Sequence, residues 1–198
     1  MPHLRSMNNN RFEREITVMK KIIALLLTLM LTLCIFCGCS ARTKGAPDGM
    51  KALESSDKLD YHIYVPVTWV QDLSTGVVSA YVSASDLSNI SITQFNLDQL
   101  KKLDEYVTDY IEDLGENLKD FKLEEGYPEN GKTLLNGVEA QKLEYTATLA
   151  GNQYKYMQII CAKGGTIYYF TYTALAEAYD TNMEDVNKIL DNFAFKRK

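Results

Sequence analysis

The sequence predicts an α+β fold built on an antiparallel β-sheet of about six to eight strands, covered on both faces. Three observations carry that reading. Short β-favouring runs are divided by compact turns at Asn136-Gly137, Gly151-Asn152 and Gly164-Gly165, the punctuation of a meander. The last two runs are apolar on both sides. Tyr154, Tyr156 and Ile160 alternate with Met157, Ile159 and Cys161, and Ile167 and Tyr169 alternate with Tyr168, Phe170 and Tyr172. A sheet with one wet face would alternate apolar with polar, so both faces need helices or loops above them. Two segments repeat apolar residues at three- and four-residue spacing and supply the helices.

Taken in order, the folded region is expected to span 59–198. Asp60–Pro66 reads as a first strand, stopped by Pro66 because proline cannot donate to a ladder. Trp69, the single tryptophan, is expected to plug the end of the core. Val77–Ala84 and Asn89–Phe95 read as two more strands with a turn around Ser85–Ser88. Leu97–Leu118 is the long helix: Leu100, Leu103, Val107, Tyr110, Ile111, Leu114 and Leu118 fall within an arc of about 100°. Glu105, Asp109, Glu112, Asp113, Glu116 and Asp120 occupy a second arc of about 100° on the far side.

Lys119–Glu124 then reads as a strand, followed by a loop over Gly126–Gly131. Lys132–Leu135 and Val138–Leu149 form a hairpin about Asn136-Gly137, since both residues tolerate positive φ. The apolar side chains of the second strand change parity between Ala140 and Leu143, and a bulge near Gln141-Lys142 is expected to reconcile them. Gln153–Ala162 and Thr166–Ala174 complete the meander. The final helix opens on Thr181-Asn182-Met183-Glu184, a capping-box pattern, and carries the stripe Val186, Ile189, Leu190, Phe193. Phe193–Phe195 closes as a short strand or staple.

The region ahead of this domain decides where it works. Lys20 and Lys21 precede an uncharged apolar run from Ile22 that ends in Gly38-Cys39-Ser40, the layout of a secretory signal over residues 19–39. Its ending resembles a bacterial lipoprotein signal. That resemblance implies that Cys39 receives a diacylglyceryl group, becomes the mature N-terminus and anchors the chain to the extracytoplasmic face of the cell membrane. An uncleaved N-terminal helix and a plain cleaved signal are the alternatives, the apolar run lying at the lower edge of the ~20 residues a membrane span needs. Residues 1–18 read as an over-extended start or a cytoplasmic extension, and 40–58 as a flexible tether.

Removing the five basic and two acidic residues ahead of Cys39 from totals of 21 and 26 leaves 16 against 24, a net charge of −8. Such a surface does not suit nucleic acid, which wants clustered Lys and Arg. Of the four cysteines, Cys34 and Cys37 fall in the leader and Cys39 is the lipidation site, so Cys161 stands alone and no disulfide framework is available.

Several of these features together are similar to a known family. They are Tyr61-x-Ile63-Tyr64-Val65-Pro66-x-x-Trp69, the Leu135-Asn136-Gly137 hairpin with its long second strand, Ile167-Tyr168-Tyr169-Phe170, and Lys188-Ile189-Leu190-x-x-Phe193-x-Phe195. The chain resembles a PsbP-like domain over about Leu59 to Phe195. The resemblance implies helices on both faces of the sheet, an α/β/α sandwich, and brings no catalytic residues with it.

Chemistry-bearing candidates are few. His62, the one histidine of the mature chain, is read as a half-buried structural residue, and Cys161 as a small core residue. Glu105, Asp109, Glu112 and Glu116 are candidates for a hard cation, against the reading that they form a solvated face. Tyr154, Tyr156, Tyr168 and Tyr172 are candidates for a binding surface, against the reading that they are core. No cofactor motif is present. The sequence therefore points to an exported lipoprotein with a non-enzymatic binding or assembly domain, with the membrane and an envelope protein as partners. A cell-envelope enzyme of unrecognised type, or a weak cation or small-ligand binder, is the alternative.

Overall fold

The computed structural model describes residues 45–53, 59–96 and 102–196. The leader, Cys39 and the start of the tether lie outside these residues. The central element is an eight-stranded antiparallel sheet. Its strands are β4 (Val70–Asp72), β5 (Val78–Ser83), β6 (Asp86–Asn96), β7 (Lys119–Leu123), β8 (Lys132–Leu135), β9 (Val138–Leu149), β10 (Asn152–Lys163) and β11 (Thr166–Leu175). They lie in the order β4-β5-β6-β11-β10-β9-β7, with β8 also paired to β9. Three more short strands precede them in the chain: β1 (Met50–Ala52), β2 (Tyr61–His62) and β3 (Tyr64–Pro66); β12 (Ala194–Phe195) ends it. β1 pairs with β3, and β12 with β2, as two separate ribbons. The helices are α1 (Leu103–Asn117) and α2 (Met183–Asp191).

Two apolar cores form, one on each face of the sheet, because successive strand side chains point to opposite sides. The first gathers Met157, Ile159 and Cys161 of β10, Tyr168, Phe170 and Tyr172 of β11, and Ile90 and Ile92 of β6. It is closed by Val65, Trp69, Val186, Ile189 and Phe193, so its cover is a mixed layer of the short ribbons and α2. The second gathers Leu143, Tyr145, Ala147, Tyr156, Ile160, Ile167 and Tyr169 beneath Val107, Tyr110 and Leu114 of α1. A helix thus covers one face directly, while on the other the expected helix layer is shared with β1, β2, β3 and β12.

Four local expectations are corrected. The strand expected over Asp60–Pro66 is split, β2 turning to β12 and β3 to β1. Part of the expected tether is folded: Met50 is buried, and β1 runs antiparallel to β3 from Met50↔Pro66 to Ala52↔Tyr64. No bulge interrupts β9 at Gln141-Lys142, and its register with β10 is continuous from Leu149↔Asn152 to Ala140↔Cys161. The change of parity reflects a change of core. Ala140, with Val138 packed beside it, belongs to the first, and Leu143, Tyr145 and Ala147 belong to the second. Finally, α2 begins without a side-chain cap hydrogen bond, and the Asn182 amide donates instead to Asp86 Oδ2 at 2.9 Å.

The Asn136-Gly137 hairpin forms as expected, with φ of 48° and 78°. The turn between β5 and β6 is tighter than expected, Ser83 already pairing with Asp86. Of the long helix, Leu103–Asn117 is described and 97–101 is not.

Candidate functional site

β7 and β8 share one edge of β9. β7 pairs along Tyr145–Thr148 and β8 along Val138–Gln141, which leaves a gap opposite Lys142 and Leu143. Glu124 extends the β7 ladder by one bond, its N–H donating to the Glu144 carbonyl at 2.8 Å. The chain then crosses the gap through the cis Tyr127-Pro128 peptide and a 3₁₀ turn at Glu129–Gly131. A hollow of about 270 Å³ results, lined by Glu124, Glu125, Tyr127, Asn130, Gly131, Lys142 and Glu144. Glycine at 131 keeps the hollow tight: a Cβ there would sit 2.6 Å from the Tyr127 ring and 2.9 Å from Gln141 Oε1 and would force one of them to move.

The charges of the hollow are largely matched. Lys142 Nζ lies 2.5 Å from Glu144 Oε1, and Lys155 Nζ lies 3.0 Å from Glu124 Oε1 and 3.6 Å from Glu144 Oε2. Burial opposes the charge on Lys155. The hydrogen bond to Glu124 and the carboxylates of Glu124, Glu144 and Asp180 outweigh it and hold the ammonium above the ordinary lysine value. The same ammonium sits 4.6 Å over the ring of Tyr179. Burial, reinforced by Glu144, raises the Tyr179 phenol, whose hydroxyl finds no hydrogen-bond partner among the described residues. Such a hollow can take a polar or cationic group at its carboxylates. Among the described residues no three His, Cys, Asp or Glu are grouped to hold a metal ion.

The residues singled out in the sequence fall elsewhere. Tyr156, Tyr168 and Tyr172 are buried and Tyr154 is half-buried. Tyr154 and Tyr156 pack on the second core, Tyr168 and Tyr172 in the first, so the four form no common surface. Tyr172 donates to the Tyr179 carbonyl at 2.9 Å, and burial pushes its phenol up to about 12. Tyr168 donates to Asp60 Oδ2. Glu105, Glu112 and Glu116 are exposed on α1, with Asp109 half-buried beside them. His62 is exposed, not half-buried. Cys161 is fully enclosed, and burial pushes its thiol up to about 12. Cys39 lies outside the described residues. Sequence reasoning missed the hollow, although Glu124-Glu125 before the Gly126–Gly131 loop and the like parity of Lys142 and Glu144 were its visible traces.

An antiparallel sheet with a helix on one face, a ribbon-and-helix layer on the other and a charged notch in its edge defines an α+β domain. Residues 51–195 match the model of the PsbP-like protein family, and the chain belongs to that family. Three solved structures resemble it. PA94 of Pseudomonas aeruginosa, a protein of unknown function, has a TM-score of 0.55 at 14% identity, covering 75% of this chain and 99% of that one. Cyanobacterial PsbP (CyanoP) from Synechocystis has a TM-score of 0.54 at 13% identity, covering 79% and 98%. LpqN, involved in cell envelope biogenesis of Mycobacterium tuberculosis, has a TM-score of 0.47 at 16% identity, covering 76% and 80%. At such identities the likeness is one of fold, and it rests on the two structures with TM-scores above 0.5. Among curated proteins, none matches this sequence.

Proposed function

We propose that this chain is an exported lipoprotein, held by a diacylglyceryl group on Cys39 at the extracytoplasmic face of the cell membrane. Its PsbP-like domain serves there as a non-enzymatic binding or assembly module of the envelope. The observation that carries the reading is the placement of Lys20-Lys21, an apolar run and Gly38-Cys39 directly ahead of that domain. Two acyl chains suffice for stable anchoring, each buried methylene contributing about 0.8 kcal/mol. The non-enzymatic half of the reading is supported by how the reactive side chains are used. Cys161 is sealed in the core, the buried tyrosines are packing residues, and Lys155 is engaged by Glu124 and Glu144.

The test is the distribution of the full-length chain between cell fractions, beside a Cys39→Ala variant. Membrane retention of the native chain and its release by Cys39→Ala support the anchor. Crosslinking within intact envelopes then captures a protein partner at the domain's surface, whereas turnover of an envelope substrate by the purified chain overturns the non-enzymatic reading.

A further inference from the structure

We infer that the end of the domain where β1 meets the β3–β4 turn rests against the lipid bilayer that holds the anchor, with the acidic arc of α1 turned away from it. The inference rests on the reading of Cys39 as the lipidated residue, and adds to it an orientation that the sequence does not contain. A free tether of 19 residues over 40–58 would average roughly 25 Å and leave the domain free to tumble. The strand β1 removes that freedom. Met50, Lys51 and Ala52 are paired with Pro66, Val65 and Tyr64, and the Gly49 carbonyl accepts from the Val67 N–H at 3.0 Å. Met50 N–H in turn donates to the Pro47 carbonyl at 3.0 Å, so the chain is placed from before β1. Cys39 is six residue steps from Gly45, which sets the length of the leash. Fully extended, they reach about 21 Å at most.

A leash of that length selects which surface meets the headgroups. It leaves the domain beside Gly49 and Val67, on the face of the first core, to which Met50 and Val65 belong. α1 packs on the second core, across the sheet, roughly two layer spacings of about 10 Å away. The outer side of α1 lies a further helix radius of about 5 Å out, so bringing it to the bilayer would ask the leash to span about 25 Å, beyond its reach. Charge acts in the same direction. Glu105, Glu112 and Glu116 are exposed on α1, and anionic headgroups repel them. The near end carries the exposed carboxylate of Asp48, against those of Glu105, Glu112 and Glu116 on α1, and offers Val67, an exposed apolar side chain at 46%, with Thr68 exposed beside it. Lys51 lies alongside, its Nζ donating to the Val67 carbonyl at 3.2 Å. An apolar tip with a lysine whose stem lies along it suits the headgroup boundary, where the stem stays in apolar surroundings and the ammonium reaches water.

The experiment uses the lipidated mature chain, purified from membranes and reconstituted in vesicles of phosphatidylethanolamine and phosphatidylglycerol that carry a headgroup quencher. A fluorophore is attached at Thr68→Cys in one sample and at Glu112→Cys in another; Cys161 is enclosed and does not compete for the label. Intact mass first establishes the diacylglyceryl group. The expected result is severalfold stronger quenching at position 68 than at 112, with the difference lost when twenty Gly/Ser residues are inserted after Ser40. Equal quenching at the two positions in a chain shown to be lipidated overturns the orientation and leaves the anchor standing. A difference that survives the insertion overturns the role given to the short leash. A chain that carries no lipid removes the anchor and the orientation with it.

Discussion

The amide of Asn182 donates to Asp86 Oδ2 across 96 residues of sequence, tying the β5–β6 hairpin to the 3₁₀ turn that leads into α2. The bond stands where a capping box was expected. Asn182 stands just before α2 and is used for tertiary attachment, not for capping the helix. Burial works against the charge of Asp86, but hydrogen bonds from Ser88 and Asn182 win and hold its carboxyl below the usual aspartate value.

Asn182→Ala is expected to destabilise the domain by about 1.5–3 kcal/mol, the range for a hydrogen bond to a charged group. Urea unfolding of Asn182→Ala, Asp86→Ala and the double variant measures the coupling, and additive losses would contradict a direct bond. The pH dependence has a definite sign. A depressed carboxyl pKa favours the folded state fully above the unfolded aspartate value of about 3.9, and the contribution disappears as pH falls through the lower folded value. The coupling should therefore vanish in acid and persist at neutral pH.

A second polar link lies between α1 and the sheet. Gln158 is fully buried; its Oε1 accepts from the Tyr110 hydroxyl at 3.0 Å and its Nε2 donates to Thr171 Oγ1 at 3.3 Å. Tyr110→Phe leaves a buried acceptor without its donor and is expected to cost about 1–3 kcal/mol. Replacing both partners, as in Tyr110→Phe with Gln158→Leu, should cost less than the sum of the single changes. Chemical denaturation of the three variants decides it, and a double variant as weak as the sum would remove the link from the account.

The enclosed tyrosines predict a steep alkaline limit. Burial is the largest cause raising the phenols of Tyr110, Tyr145 and Tyr169 above the ordinary value of 10.0. A raised pKa means that the folded state holds these protons more tightly. Their contribution is complete below the unfolded value and is lost as pH climbs from there toward the folded values. Each phenol contributes a slope of about 1.4 kcal/mol per pH unit over that interval. Urea midpoints should be nearly level around pH 8–9 and fall sharply above about pH 10. A midpoint unchanged through pH 11 would contradict the enclosure of these rings.

What the sequence made legible was whatever local chemistry dictates. The positive φ of Asn136 and Gly137 demanded a tight hairpin, and it is there. The spacing of Val107, Tyr110 and Leu114 demanded a one-sided helix, and these are its buried residues. The two-sided apolar strands β10 and β11 demanded cover on both faces, and two cores provide it. Pairing partners were less visible. Nothing in Tyr61–Pro66 announces that His62 pairs with Ala194 while Tyr64 pairs with Ala52, because such choices are made by distant segments. Met50 looked like part of a polar tether for the same reason: its strand exists only against β3. The parity change in β9 reads as a bulge only if its apolar residues all face one side, whereas Val138 and Ala140 serve the first core and Leu143, Tyr145 and Ala147 the second. The hollow was hidden because it arises from a gap between β7 and β8, and the distance between two strands on a shared edge leaves no periodicity to read.

The central claim is that Cys39 carries the lipid that places this domain outside the cytoplasm, and intact mass spectrometry of the chain isolated from membranes addresses it directly. The account predicts a polypeptide that starts at Cys39 and is heavier than its residues by a diacylglyceryl group. A chain that retains the residues ahead of Cys39, or one that starts there with a bare thiol, would contradict it.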